Sequence, residues 1–405
     1  MTIPFPLDGL TVLDFSHALA GPYCSMLMAA YGADVIKVEG IETGDIGRTW
    51  APPFIGEESS YFLGLNSGKE GIAIDLKHPE GIDLCRRLVA QADVLLENFR
   101  PGTMERLGLG YPAAAAINPR LIYCSISGYG QTGPRRDDPA MDLILQAASG
   151  LISVTGTTAG ETVRCGHSVA DVTAGMFGLI GILMALQSRA TTGRGQQVDV
   201  SMLDGMISAM ASTYANLFGS GRAPGPTGTA FSTIVPYACF PTADREIAIA
   251  VASDKLWRSF CEAIERPDVA TDPRFATNAL RVRHREVLEP LIAEIFRCEP
   301  AAHWLAVLAR RGVPCSAVNN LAEVAGDPQS AAREMFPVLE HPTVGPIRVT
   351  GAPLKFSESR GAITRPAPHL GQHTRTILRE RLGLAEAEVE RLVAGGVVGV
   401  PTPLT

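Results

Sequence analysis

Leu10-Thr11-Val12-Leu13-Asp14-Phe15, a proline-led helix from Pro22 to Tyr31, and Asp34-Val35-Ile36-Lys37-Val38-Glu39 together set the fold class of this 405-residue chain. Both flanking runs are short and apolar, as strands buried on two faces require, and the proline suits the first turn of the helix between them. The scheme repeats downstream. Ile72-Ala73-Ile74-Asp75, a helix over 79–91 and Asp93-Val94-Leu95-Leu96 follow, and Leu121-Ile122-Tyr123-Cys124-Ser125-Ile126 supplies another strand. Short apolar strands separated by helices predict an α/β fold with a Rossmann-like, doubly wound parallel sheet. The loop after the first strand reads Ser16-His17-Ala18-Leu19-Ala20-Gly21-Pro22. It lacks the G-x-G-x-x-G fingerprint, so the fold is expected without dinucleotide binding.

Length and punctuation point to more than one domain. Gly219-Ser220-Gly221-Arg222-Ala223-Pro224-Gly225-Pro226-Thr227-Gly228 reads as a linker by composition. The expected division is a large domain over 1–218, a linker over 219–229, a smaller α/β domain over 230–325, and a return of 326–405 to the large domain. Within the small domain, Ile234 to Phe240 and Glu246 to Ala252 read as strands, with helices near 254–265, 284–296 and 300–311. A passage dotted with proline and glycine (337–371) precedes helices near 373–381 and 385–394, the second stopped by Gly395-Gly396.

The net charge of -7 leaves no basic footprint for nucleic acid, and the eight cysteines form neither C-x-x-C pairs nor His/Cys clusters. No nucleic acid, no metal site and no disulfide framework are expected, and reduced thiols fit a cytoplasmic protein. The start, Met1-Thr2-Ile3-Pro4-Phe5-Pro6, reads as no signal peptide. Residues 175–186 are apolar, glycine-rich and too short to span a bilayer, which predicts a buried helix and no membrane partner.

Asp171 is the most informative residue. It stands in Gly166-His167-Ser168-Val169-Ala170-Asp171-Val172-Thr173-Ala174-Gly175, at the mouth of a helix of small apolar residues. Backbone N–H groups and the helix dipole favour a carboxylate there. Two readings are open on the residues alone, a helix cap or a reactive group.

This segment, with Thr192-Gly193-Arg194-Gly195-Gln196 after it, resembles the signature of the family III CoA-transferases, also called the formyl-CoA transferase or CaiB/BaiF family. Leu7-Asp8-Gly9-Leu10 with Ala20-Gly21-Pro22 resembles the family's opening strand and turn. Glu97-Asn98-Phe99-Arg100-Pro101-Gly102, Ser127-Gly128-Tyr129-Gly130-Gln131-Thr132-Gly133-Pro134 and Leu370-Gly371-Gln372-His373-Thr374 match further segments in order. The resemblance implies that Asp171 is a covalent nucleophile. It also implies that His17, Ala20, Ile74, Asn98, Phe99, Arg106 and Met202 contact coenzyme A. Arg48, Trp50, Gly130, Gln131 and Met141 would form the acyl pocket. Two chains of such a family interlock as a ring-shaped homodimer.

Arg48-Thr49-Trp50-Ala51-Pro52-Pro53-Phe54, Gly228-Thr229-Ala230 and His341-Pro342-Thr343-Val344-Gly345 resemble the branch that acts on dicarboxylates. The implied reaction moves CoA from an acyl-CoA such as succinyl-CoA to a C4–C5 dicarboxylate, through an aspartyl anhydride and an aspartyl-CoA thioester. The CoA thioester is a substrate, with no tightly bound cofactor and no metal. The chain departs from the pattern at Leu19 and Gly40, where some members carry polar contacts, leaving the phosphates to Lys37, Arg100 or Arg106. An α-methylacyl-CoA racemase would need a histidine where Met141 stands, and a non-catalytic CoA-binding protein is the alternative of another class. For Arg48, a solvated loop arginine and a partner for the far carboxylate of the substrate are both open.

Overall fold

The computed structural model describes residues 3–401. Seven strands build the main sheet: β1 Thr11–Asp14, β2 Asp34–Glu39, β3 Glu70–Ile74, β4 Val94–Glu97, β5 Ile122–Ser127, β6 Gln197–Ser201 and β7 Val398–Gly399. Their order is β7-β3-β2-β1-β4-β5-β6, with every neighbouring pair parallel except β7 against β3. The chain therefore winds outward one way from β1 to β3 and the other way from β4 to β6. A switch point lies between β1 and β4, at whose carboxyl ends open α/β sheets hold ligands.

Both faces of the sheet are covered, and side chains sort by parity. Leu13, Ile36, Ile72, Leu95 and Tyr123 share one core with Leu84, Leu88, Ile377 and Val389. Val12, Val35, Val94, Ile122 and Cys124 share another with residues of α1 (Ala20–Ala30) and of the long helix Val169–Thr192. That helix is preceded in the chain by α2 (Asp142–Ala148) and is called α3; α4 (Met202–Ala209) follows β6. α3 is longer than the apolar run at its centre. It continues through Gln187 to Thr192 until Gly193, whose φ of 72° closes it. By length and composition alone it could cross a membrane. It lies instead along the sheet, with Gly175 so close to α1 that a Cβ would sit 2.6 Å from the Ala20 carbonyl. Near its end the buried Arg189 pairs with Asp93 at 2.8 Å.

Contacts divide the chain into two compact units. The first comprises 1–151, 165–215 and 328–405, and the second 152–164 and 216–327. Residues 152–164, placed in the large domain by sequence, thus group with the second unit, and helix Ala211–Ser220 runs into the segment read as a linker. The second unit carries a three-stranded antiparallel sheet, Cys315–Ala317 beside Glu246–Ala250 beside Tyr237–Pro241. Helices Asp254–Ala263, Arg285–Phe296 and Ala301–Arg310 cover it around Phe240, Ile249, Phe260, Leu288 and Phe296.

Buried charges gather where β1 and β2 end, with Lys69 entering from just before β3. Asp14, Lys37, Glu39, Asp45 and Lys69 are each no more than 1% exposed. Lys69 Nζ donates to Asp14 Oδ2 (3.0 Å), Asn66 Oδ1 (2.8 Å) and the Pro22 carbonyl (3.0 Å). Asp14 also accepts from Ser25 Oγ (2.6 Å) and from the Ser16 N–H and hydroxyl. Lys37 Nζ lies 2.8 Å from Asp45 and donates to the Ser16 carbonyl. Burial opposes ionisation of Asp14, but Lys69, Lys37 and the serine hydroxyls outweigh it and hold the carboxyl well below its ordinary range. Replacing Lys69 by Met leaves Asp14 buried without its cation. The expected cost is about 3–5 kcal/mol in urea unfolding of the large unit; a loss below about 1 kcal/mol would show that the cluster does not hold the sheet edge.

Candidate active site

At the switch point lies a cavity of about 430 Å³, within the range of small-molecule sites. Its floor comes from the strand ends: Ala18 after β1, Asn98 to Pro101 after β4, and Ile126 to Gly128 at the end of β5. Trp50 and Tyr61 form one wall, their rings 5.1 Å apart edge to face. Met141 and Asp142 at the start of α2, Asp171 and Met202 close the other side.

Asp171 sits in the first turn of α3, yet it is not the cap. Ser168 occupies the cap position without a side-chain bond, and Asp142 reaches across from α2 to accept the Ala170 N–H at 2.9 Å. The second oxygen of Asp142 accepts from Gln146 Nε2 at 2.7 Å. Among the described residues no donor reaches the Asp171 carboxylate. Burial, and then the charge of Asp142, push its pKa up to about 7. One carboxylate thus performs the structural task and leaves the other unpaired in the cavity. Burial, and then the charges of Asp171, Asp45 and Asp142, push the Tyr61 hydroxyl above its ordinary value, so it stays a proton donor. Ser127 Oγ is buried and has no partner.

Of the residues expected at the site, the cavity gathers Ala20, Trp50, Asn98, Phe99, Met141, Asp171 and Met202. Asn98 has a job besides ligand contact. Its carbonyl accepts the His17 N–H (2.8 Å) and its amide donates to the His17 carbonyl (2.9 Å), clamping the loops after β1 and β4 together. The His17 ring packs 5.3 Å from Phe99, and burial and then Lys37 lower its pKa, so it is neutral at pH 7 and offers no cation to phosphate. Gly130 and Gln131 lie off this cavity, the Gln131 N–H held by the Asp199 carboxylate at 3.0 and 3.1 Å. Ile74 has no exposed surface and its side chain belongs to the sheet core. Arg106 is exposed and bonded to Thr103 Oγ1.

Two expectations about cations need correction. Lys37 is fully buried in the ion cluster and cannot meet a phosphate. Arg48 is not a free loop arginine: it grips both oxygens of Glu39 at 2.8 Å, donates to the Pro368 carbonyl and stacks 3.6 Å from the centre of Phe62. Its fork is filled by a carboxylate of the chain itself. The cations that do line the cavity are Arg100, exposed at one edge, and Arg136 at the other. Arg136 Nε is buried with no partner, and its nearest carboxylate, on Asp137, is 3.9 Å away. Tyr61, Asp142 and Arg136 were not singled out as site residues from sequence. The pairing Arg135-Arg136 was a visible cue to a cation, but nothing in its spacing pointed inward.

Comparison with known proteins places this arrangement. The model of CoA-transferase family III matches residues 7–374. Succinyl-CoA:glutarate CoA-transferase of Homo sapiens is 37% identical over 393 residues, which span 97% of this chain and 90% of that protein. Succinyl-CoA--D-citramalate CoA-transferase of Chloroflexus aurantiacus is 36% identical over 98% of both chains. A CaiB/BaiF family protein from Brucella suis superposes with a TM-score of 0.84 at 37% identity, covering 93% of this chain and all of the other. The family match takes in six of the seven strands of the large sheet and the helix that bears Asp171, and the chain belongs to the family III CoA-transferases.

Proposed function

We propose that the protein transfers CoA between dicarboxylic acids, with succinyl-CoA or a similar dicarboxyl thioester as donor, and that Asp171 carries the acyl and CoA groups in turn. The observation that carries this reading is the unpaired carboxylate at the switch-point cavity, freed from capping by Asp142. Relatives acting on glutarate and D-citramalate support a dicarboxylate on the acceptor side. Asp171 attacks the thioester carbonyl and expels CoA thiolate, giving a mixed anhydride. The thiolate attacks the aspartyl carbonyl and releases the donor acid, leaving an aspartyl-CoA thioester. The acceptor carboxylate attacks that thioester, and the thiolate returns to the acceptor carbonyl, which frees Asp171. Each hard exchange becomes two easier ones.

The remaining residues take roles that their chemistry suits. The Tyr61 and Ser127 hydroxyls are the donors available to the oxygen that gains charge in each tetrahedral state. Arg136 holds the distal carboxylate, and Arg100 lies on the β4 side, toward the CoA phosphates. Racemase chemistry needs a second proton carrier opposite Asp171. Met141 is a thioether, and both oxygens of Asp142 are occupied by donors. An apolar stripe on α3, with Met176, Ile180, Leu183 and Met184 each at least 40% exposed, supports a homodimer.

Asp171→Asn and Asp171→Ala should lower kcat by on the order of a thousandfold or more. In the native protein, hydroxylamine added with donor should mark Asp171 by mass spectrometry; a competent Ala variant would remove the nucleophile assignment. Transfer should also fall as pH drops through about 7, where Asp171 takes up its proton. Ionising this group costs the folded state, because its folded pKa lies above the ordinary 3.8. That cost is absent near pH 4, grows between 4 and 7 and is full above 7. Asp171→Asn should therefore be more stable than the native protein at pH 8 by on the order of 1–3 kcal/mol, with the gap closing toward pH 4. Thermal unfolding at both pH values reads this, and an equal gap at both would refute the raised pKa.

Arg136→Met should cost succinyl-CoA about tenfold in kcat/KM, a partly exposed charge contact being worth about 1–2 kcal/mol. Butyryl-CoA should lose little. Equal losses for the two donors would take the distal carboxylate away from Arg136.

A further inference from the structure

Glu58, His341 and His369 meet from three distant parts of the large unit. His341 ends the strand Val338–His341 of a small hairpin with Gly345–Arg348, and His369 follows Pro368 in the turn leading to the C-terminal helices. Each brings a donor atom within 4.8 Å of the others. The two imidazoles lie 4.8 Å apart at 76°. Thr343 Oγ1 stands between them, 3.3 Å from His341 Nδ1 and 3.2 Å from His369 Nε2. The Thr343 N–H also reaches His341 Nδ1 at 3.5 Å, and His369 donates to Glu58. A metal ion would shift both rings to the other tautomer, with an N–H toward the Thr343 oxygen and the lone pairs on His341 Nε2 and His369 Nδ1. His369 Nδ1 faces Glu58 Oε1 at 2.5 Å. His341 is 3% exposed, and its Nε2 is buried without a hydrogen-bond partner, although the Ala367 carbonyl faces the same ring.

We infer that His341 Nε2, His369 Nδ1 and Glu58 Oε1 form a binding site for a divalent transition-metal ion of the zinc class. Two imidazoles and one carboxylate are the donor set of Zn²⁺ and its neighbours, whereas Ca²⁺ and Mg²⁺ take oxygen ligands. The site uses none of the cysteines, and its ligands are too far apart in sequence to form a motif. Tetrahedral bonds of about 2.0–2.2 Å hold the donors about 3.4 Å from one another, so His369 Nδ1 and Glu58 Oε1 must part by about 1 Å while the wider pairs close by a similar amount. His369 and Glu58, with side chains 23% and 17% exposed, have room for that rotation. The outer partners are in place, with Thr343 orienting both rings and Arg48 3.7 Å from the second oxygen of Glu58. Occupancy would tie the turns at 341 and 369 to Glu58. The adjacent Ser59 hydroxyl holds the Trp50 carbonyl at 2.8 Å, so the ion would stiffen one wall of the cavity without entering it.

The test is metal binding by untagged full-length protein stripped with EDTA. Zinc chloride is titrated by calorimetry, and cobalt chloride is followed by its visible absorption. The expected result is one ion per chain, with a cobalt spectrum of low coordination number. Glu58→Gln, His341→Asn and His369→Asn should each abolish it, while Thr343→Ala should weaken it about 10- to 100-fold. Exposed His303 of the second unit, changed to Ala, should leave binding unchanged. Circular dichroism checks the fold, and the Glu58 and His369 variants carry the test should the buried His341 variant misfold. Failure of the folded native protein to bind either ion would overturn the inference, as would undiminished binding in the Glu58 and His369 variants.

Discussion

The ion cluster around the ends of β1 and β2 is the constraint on which the site depends. Asp14, Glu39 and Asp45 face Lys37, Lys69 and Arg48, so three negative groups balance three positive ones where almost no water reaches. Burying six charges is tolerable only while their geometry holds, because each loses its hydration and any one left alone is strongly destabilising. The loops that leave these strands are therefore pinned. Ser16, the Ala18 N–H and the Gly47 N–H are all bound to Asp14 or Asp45. The chain cannot drift at the points where Ala18 and Trp50 meet the cavity.

The second constraint is a division of labour between carboxylates. Asp142 accepts two N–H groups and serves the helix terminus. Asp171, one residue past the N–H that Asp142 accepts, has no donor among the described residues and stands against its neighbour's charge. Environments that separate two nearby acids in this way are how one fold obtains both a fixed anion and a reactive one. Asp171 also keeps its place because the glycine one turn later lets α3 approach α1 closely.

The sheet was legible because its strands are apolar on both faces and its helices carry proline and glycine at their ends. β6 escaped notice because Gln197, Val198 and Asp199 retain exposure and its pattern is not that of a buried strand, and β7 because two residues make no pattern. Asp171 could be read from its place at a helix mouth and from the family likeness. Neither sequence reading of Arg48 includes its ion pair, for a physical reason: its partner Glu39 is the last residue of a strand, where an acid looks like a solvated end and not a counter-ion. Pairings between buried charges depend on three-dimensional register, and neither spacing nor composition carries it. The same holds for Tyr61, which no motif marks and which reaches the cavity because the turn at Ser59 caps its helix.

The large unit is assembled from three separate stretches of chain, and its sheet is closed by Val398 and Gly399 pairing with Ile74 and Ala73. On the ribosome, β3 therefore emerges more than three hundred residues before the strand that covers its edge. Helices Thr374–Glu380 and Glu386–Ala394, which supply Ile377, Leu378, Val389 and Leu392 to the first core, arrive equally late. Through most of synthesis the nascent sheet carries an uncovered edge and half of an apolar face, which are the features that invite pairing with other chains. The second unit, whose core draws mainly on 235–313, can complete its packing during that interval. Emergence of residues 374–399 is then the event that ends the exposure.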